Sequence, residues 1–91
     1  MTAPTINING TSPERLAEQY GTAKIAVLKA LDALGASEPH GRDYYHTPGA
    51  LAQAQREHLS RLARLEAVQR ELSALEIHCY DRVPHDARPC S

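Results

Sequence analysis

A stripe of mostly apolar residues, spaced three and four apart, runs through the second half of this chain. Its members are Leu51, Ala54, His58, Leu62, Leu65, Val68, Leu72, Leu75 and Cys79. Because an α-helix turns once in about 3.6 residues, this spacing puts them all on one side of a helix. The stripe predicts a helix over about residues 48–79, with Thr47 as its N-cap and Pro48 as its first residue.

A similar stripe predicts a first helix over about residues 13–34. Its members are Leu16, Tyr20, Ala23, Val27, Ala30 and Leu34, and Gly35 follows as a C-terminal stop. Two registers are open for the start of this helix. Thr11 and Glu14 fit a capping box. Ser12 and Pro13 fit an N-cap followed by proline.

Together the two stripes predict an all-α fold, an antiparallel two-helix hairpin over residues 12–80. Residues 1–11, which include the alternating TINING segment, are expected to form an extended N-terminal arm. Residues 81–91 contain two prolines and are expected to form a flexible tail.

Four large apolar residues fall off the stripes and would be exposed in a single hairpin. They are Ile25, Leu28, Leu59 and Ile77. A chain this short buries only a modest share of its surface, and association of copies is a common remedy. We therefore expect a homo-oligomeric helical bundle.

The composition of the chain argues against several classes of protein. The formal net charge is -1 at pH 7, so the chain lacks the positive excess with which proteins bind nucleic acid polymers. No stretch approaches the roughly 18 apolar residues of a membrane span, and the N-terminus does not resemble a secretory signal. Two cysteines are too few for a disulfide scaffold. These features favour a cytoplasmic protein.

The segment HGRDYYHTPG joins the two predicted helices. Tyr44 and Tyr45 offer flat rings on which a base stacks, and the planar fork of Arg42 suits a phosphate. Asp43 can accept hydrogen bonds from a ribose hydroxyl or an exocyclic amine. Thr47 stands at a helix N-terminus, where free N–H groups attract anions. The combination predicts a nucleotide-binding site; the alternative is a polar connection in which Asp43 pairs with Arg42.

The N-terminal arm carries a second set of candidate ligand-binding residues: Asn7, Asn9 and Thr11. In one hairpin the arm and the loop lie at opposite ends, about 30 Å apart. In an antiparallel oligomer, the arm of one subunit can meet the loop of its neighbour and complete the site. The alternative is that these residues only cap the first helix.

No catalytic or metal site is predicted. His78 and Cys79 are adjacent, so on a helix they point about 100° apart and form no nucleophile–base pair. Together with His85 and Cys90 they match no zinc-binding spacing. His58 lies on the apolar stripe, where a histidine is more often structural than a ligand. We therefore expect a protein that binds without catalysing a reaction and without a metal or cofactor.

Three strings in the chain resemble a group of small helical proteins encoded in bacteriophages and prophages of proteobacteria. They are TINING-TS at residues 5–12, GRDYY at residues 41–45 and the EH…RL…LE pattern of residues 57–66. The group has a T-I-N-x-N-G-T-S start and a GRDYY or ARDYY loop. This chain departs from it after the loop, because YYHTPGA stands where the group has YYPQGP.

The resemblance implies an oligomeric phage-type protein in the cytoplasm of the host cell. Such proteins often inhibit host defence, and one type resembles a sponge for a cyclic oligonucleotide or a cyclic ADP-ribose derivative. The leading hypothesis is therefore a non-enzymatic protein that sequesters a nucleotide-derived signalling molecule. The alternative is a helical adaptor or inhibitor that binds a host or phage protein, through a face carrying Arg56, Arg64 and Arg70.

Overall fold

The computed structural model describes residues 1–6 and 10–83, which form two helices packed against each other. Helix α1 comprises Pro13–Gly35, helix α2 comprises Ala50–Tyr80, and a short 3-10 helix, Gly41–Asp43, lies in the loop between them. The described residues contain no strand, so the predicted all-α hairpin is confirmed. Most of the predicted tail, residues 84–91, lies outside the described residues.

The start of α1 uses Ser12 as its N-cap. Ser12 is extended, with φ -62° and ψ 150°, and its Oγ accepts a hydrogen bond from the Arg15 N–H at 3.2 Å. Pro13 follows in the first turn, where a missing N–H breaks no helical hydrogen bond. Of the two predicted registers, the Ser12–Pro13 register is therefore the one formed.

The prediction that Thr47 caps α2 is wrong, because the helix begins at Ala50. The Thr47 carbonyl accepts a hydrogen bond from the Ala50 N–H at 3.1 Å, and Gly49 has φ 81° and ψ -9°. Proline at the second position and a glycine of positive φ at the third are the requirements of a type II turn. Pro48 and Gly49 therefore form a turn, and the helix starts after it.

The end of α1 also differs from the prediction. Gly35 is the last helical residue and has no positive φ, and the C-cap is Ala36, with φ -73°. The Ala36 N–H donates to the Asp32 carbonyl at 3.3 Å, and the Ser37 hydroxyl donates to the Ala33 carbonyl at 3.1 Å. These bonds occupy carbonyls that a left-handed glycine would otherwise help to satisfy.

The seam between the helices is thin. Among the described residues, the buried apolar ones are Ala17, Ala54, Cys79 and Val83, and the leucines of both stripes are half-buried. Two predicted members are exposed: Ala30, whose place Leu31 takes, and Val68, whose place Gln69 takes. Gln69 comes four residues after Leu65 and lies about 40° from it around the helix axis. Val68 comes three residues after Leu65 and lies about 60° from it in the other direction. The seam therefore continues through Gln69.

Lys24 and Glu76 join the two helices. The Lys24 Nζ lies 2.6 Å from the Glu76 Oε1, and both side chains are about a quarter exposed. A Cβ added at Gly21 would lie 2.5 Å from the Glu76 Oε2. This glycine, which costs about 1 kcal/mol against alanine inside a helix, makes room for the carboxylate.

The Lys24–Glu76 contact shows the register of the hairpin. Counting equal steps along the two antiparallel helices from this contact places Gly35, the end of α1, level with Leu65. The first turns of α2, from Ala50 to about Arg64, therefore extend beyond α1. The loop, and not α1, covers this part of α2.

The N-terminal arm lies at the other end of the hairpin. The His78 Nε2 is 3.0 Å from the Pro4 carbonyl oxygen. Because a carbonyl only accepts hydrogen bonds, Nε2 carries the proton and donates. The described arm residues thus lie beside the C-terminal end of α2, away from the loop as predicted.

The four large apolar side chains that were predicted to fall off the stripes are exposed. Ile25, Leu28, Leu59 and Ile77 are 54%, 45%, 64% and 60% exposed, which confirms that a single hairpin leaves them uncovered. Neither helix of the described chain is long and apolar enough to cross a membrane.

Candidate functional site

The loop between the helices forms one wall of a cavity of about 220 Å³, here called the loop cavity. Its lining residues are Ser37, Glu38, Pro39, Asp43, Tyr44, Ala54, Glu57, His58 and Arg61. The first five come from the loop and the last four from the part of α2 that extends beyond α1. The cavity thus exists because the two helices are offset along their axes.

The predicted loop residues divide into two groups. Asp43 and Tyr44 line the loop cavity, and Tyr44 is half-buried. Arg42, Tyr45 and Thr47 are exposed and do not line it. The Tyr45 ring packs instead on the neighbouring His46, with centroids 3.8 Å apart and planes tilted by 38°.

His58 is the buried polar residue of this cavity. It is 5% exposed, and its ring makes no hydrogen bond or ion pair with any residue of the described chain. In the same part of the chain, no side-chain nitrogen or oxygen is both sealed from solvent and without a partner. The ring nitrogens of His58 are therefore open to solvent, and His58 is one of the residues that line the loop cavity. From the sequence, His58 was expected to have a structural role, because it lies on the apolar stripe of α2.

Carboxylates dominate the charge of the loop cavity. Glu38, Asp43 and Glu57 line it together with a single arginine, Arg61. Glu57 and Arg61 are one turn apart on α2 but form no ion pair; the Glu57 Oε2 accepts a hydrogen bond from the Gln53 Nε2 at 3.4 Å. The cavity therefore offers more hydrogen-bond acceptors than donors.

A second cavity of about 360 Å³ adjoins the first and is here called the arginine groove. Leu34, Arg61, Arg64 and Leu65 line it. Arg61 lines both cavities. The Arg64 Nε donates to the Ser60 carbonyl at 3.3 Å, which holds the side chain along α2. The arginine groove alone lies within the range of about 300–1,000 Å³ found for small-molecule sites, and the loop cavity is smaller.

The described residues of the arm do not line either cavity. The described arm forms a separate cavity of about 440 Å³ with α2, lined by Ala3, Pro4, Thr5, Ile6, His78 and Arg82. Thr11 is exposed and lines none of these cavities. Asn7 and Asn9 lie outside the described residues, so completion of the site by a neighbouring subunit's arm stays a prediction.

Cys79 is the fully buried side chain of the seam. Burial raises the pKa of its thiol, and the nearby charge of Arg82 partly opposes that rise. A thiol with a raised pKa is a poor nucleophile and a poor metal ligand at neutral pH. Among the described residues, no group of three or more His, Cys, Asp or Glu side chains is arranged to hold a metal ion; His85 and Cys90 lie outside them.

The chain was compared with protein-family models, curated proteins and solved structures, and none matches it. The chemistry of the loop cavity and the arginine groove is therefore the basis for assigning a function.

Proposed function

We propose that this protein binds a nucleotide-derived signalling molecule and sequesters it without catalysing a reaction. The observation that carries the proposal is the position of Arg61 between two cavities of different character. The loop cavity is rich in carboxylates, whereas the charged residues of the arginine groove are both arginines. A nucleotide has two matching halves, a base that donates N–H hydrogen bonds and a phosphate that carries negative charge.

The arginine groove suits the phosphate. Arg61 and Arg64 are three residues apart, so they project from the same side of α2. The hydrogen bond from Arg64 to the Ser60 carbonyl uses Nε, which leaves its terminal N–H groups for a ligand. Arginine forks bind phosphate through two parallel hydrogen bonds, and the leucines that flank them reduce competition from water.

The loop cavity suits the base. The half-buried ring of Tyr44 supplies a surface for stacking, which is worth about 1–3 kcal/mol per base. Asp43 accepts hydrogen bonds from the base or the ribose, and the ring nitrogens of His58 offer one more polar contact. Arg42, Tyr45 and Thr47 have no part in this arrangement.

Self-association is compatible with this site. Three of the exposed apolar residues are rotated about 70–140° from the seam around their helix axes, in the same sense along the chain: Ile25, Leu28 and Ile77. Because the two helices are antiparallel, this rotation puts all three on the same side of the hairpin. Arg61 and Arg64 lie on the other side. We propose that a homo-oligomer forms through the apolar side and leaves the cavities open. In the phage setting that the sequence resembles, such an oligomer counters host defence by binding alone.

The same exposed apolar side chains favour a second candidate function, that of an adaptor or inhibitor of another protein. Their exposures, from 45% to 60%, suit docking of a foreign helix as well as of a second copy. On this alternative the two cavities have no ligand.

Isothermal titration calorimetry with cyclic dinucleotides, cyclic trinucleotides and cyclic ADP-ribose compounds tests the proposal. Arg61→Gln removes the charge shared by the two cavities and is expected to weaken binding by about tenfold or more. Arg70→Gln is the matched control, because Arg70 is exposed on the same helix outside both cavities. Equal affinities of the two variants for a bound ligand would contradict the assignment.

A further inference from the structure

We infer that the loop cavity recognises a flat group with two adjacent N–H donors, the edge that guanine carries among the common nucleobases. The inference rests on the proposed function and adds the identity of the half that enters the loop cavity. Two independent observations carry it: the unpartnered ring of His58 and the excess of carboxylates around it.

His58 indicates that the cavity is a binding site. Buried polar groups in proteins nearly always have a hydrogen-bond partner. His58 is 5% exposed and has none within the described chain, and it lines the loop cavity. Because its ring nitrogens are open to solvent and not sealed, a ligand that enters the loop cavity takes the place of water as their partner.

The carboxylates indicate which kind of ligand. Ionised Glu38, Asp43 and Glu57 only accept hydrogen bonds. The Ser37 hydroxyl, which also lines the cavity, already donates to the Ala33 carbonyl at 3.1 Å. Arg61 is therefore the charged donor on the protein side, beside the Tyr44 hydroxyl and the His58 ring. A ligand that fits this cavity has to bring N–H donors of its own.

Among the nucleobases, guanine brings these donors side by side. Its ring N–H and its exocyclic amine form two parallel hydrogen bonds with one carboxylate, as an arginine fork does. Adenine places a ring acceptor beside its amine, and uracil places carbonyl acceptors on both sides of its N–H. Those acceptors would face the carboxylates and be repelled. A guanidinium group has the same donor edge as guanine, with an added positive charge.

Titration calorimetry of the full chain with guanosine monophosphate and inosine monophosphate tests the inference. The two ligands differ only in the exocyclic amine, because inosine lacks it. Guanosine monophosphate is expected to bind about 10-fold to 100-fold more tightly, the discrimination typical of a bidentate base contact. Asp43→Asn or Glu57→Gln should remove this preference, and Glu66→Gln, an exposed carboxylate outside both cavities, should keep it.

Methylguanidine and uridine monophosphate separate this inference from the proposed function. If methylguanidine binds and no nucleotide does, the donor-edge inference stands and the proposed function fails. If nucleotides bind but guanosine and inosine monophosphate bind equally, or neither variant lowers the preference, the inference fails and the proposed function stands. Preferred binding of uridine monophosphate also overturns the inference. Binding of no ligand at all overturns both.

Discussion

Glu76 reaches from α2 to Lys24 on α1 across the surface of a glycine. The Lys24 Nζ and the Glu76 Oε1 are 2.6 Å apart, and the Glu76 Oε2 occupies the space that a Cβ at Gly21 would need. In the described part of the chain this is the ion pair between the helices. Its position shows the offset of the two helices, by which the loop, and not α1, covers the start of α2 and forms a wall of the loop cavity.

The fit of Glu76 over Gly21 predicts a measurable coupling. Gly21→Ala gains about 1 kcal/mol of helix propensity, but in the wild-type background the new Cβ displaces the carboxylate from Lys24. Gly21→Ala should therefore raise the free energy of unfolding by about 0.5–1 kcal/mol less in the wild-type background than in the Glu76→Ala background. This difference is the contribution expected of a partly exposed ion pair. Urea unfolding of the four proteins measures the coupling. Equal gains in both backgrounds would mean that Gly21 is not needed for the contact.

Replacement of two other glycines by alanine should change the stability of the protein in opposite directions. Gly49 has φ 81°, a conformation that costs an alanine about 1–2 kcal/mol, so Gly49→Ala should destabilise the protein. Gly35 is helical, and a Cβ added there meets nothing within 4 Å, so Gly35→Ala should stabilise it by about 0.5–1 kcal/mol. Thermal or urea unfolding of each variant gives the sign. A stabilising Gly49→Ala would contradict the type II turn.

Cys79 predicts a pH dependence of stability. Because burial raises the pKa of its thiol, the folded state keeps this proton at pH values where the unfolded thiol, with a pKa of about 8.5, has lost it. The stability from the buried neutral thiol is therefore complete below that pH and decreases as the pH rises above it, by less than about 1.4 kcal/mol per pH unit. The free energy of unfolding of wild type should fall more steeply than that of Cys79→Ala between about pH 8 and 10. Parallel curves for the two proteins would refute this.

The exposed apolar side of the hairpin predicts the oligomeric state. Ile25→Gln together with Ile77→Gln removes two large side chains that are 54% and 60% exposed. Because these changes do not touch the seam, sedimentation velocity should report a folded protein of lower mass than wild type. Ala26→Gln, at an exposed position on the side of α1 away from Ile25 and Leu28, serves as the control and should leave the mass unchanged. A monomeric wild type, or an oligomer that survives both isoleucine changes, would exclude this interface.

The periodicity of the sequence was enough to predict the two helices and their contact. The start of α1 was predicted to within one residue, at Thr11 or Ser12, because N-cap chemistry is local. The start of α2 was misplaced, since Pro48 was interpreted as a helix residue although Gly49 next to it completes the signature of a type II turn. The exchange of Val68 for Gln69 in the seam depends on how two helices line up, which spacing along one helix does not specify.

The candidate site was only partly predictable. Asp43 and Tyr44 were chosen for their chemistry, and they line the loop cavity. His58 was assigned to the helix seam and Arg64 to a helix surface, and Arg61 was not singled out. The position of these three residues in the cavities follows from the offset of α1 and α2, a tertiary relationship between residues as far apart in sequence as Lys24 and Glu76, which are 52 positions apart. The unequal predicted lengths of the helices were the available signal that part of α2 has no helical partner.

Native mass spectrometry of the wild-type protein, alone and with cyclic dinucleotides, cyclic trinucleotides, cyclic ADP-ribose compounds and guanosine monophosphate, tests most directly whether the loop cavity and the arginine groove form a nucleotide site. The method reports the number of subunits and the bound mass in one spectrum. We expect a discrete homo-oligomer that gains ligand mass in proportion to its number of cavities and loses that gain in Arg61→Gln but not in Arg70→Gln. An oligomer or a monomer that takes up none of these ligands would contradict nucleotide binding.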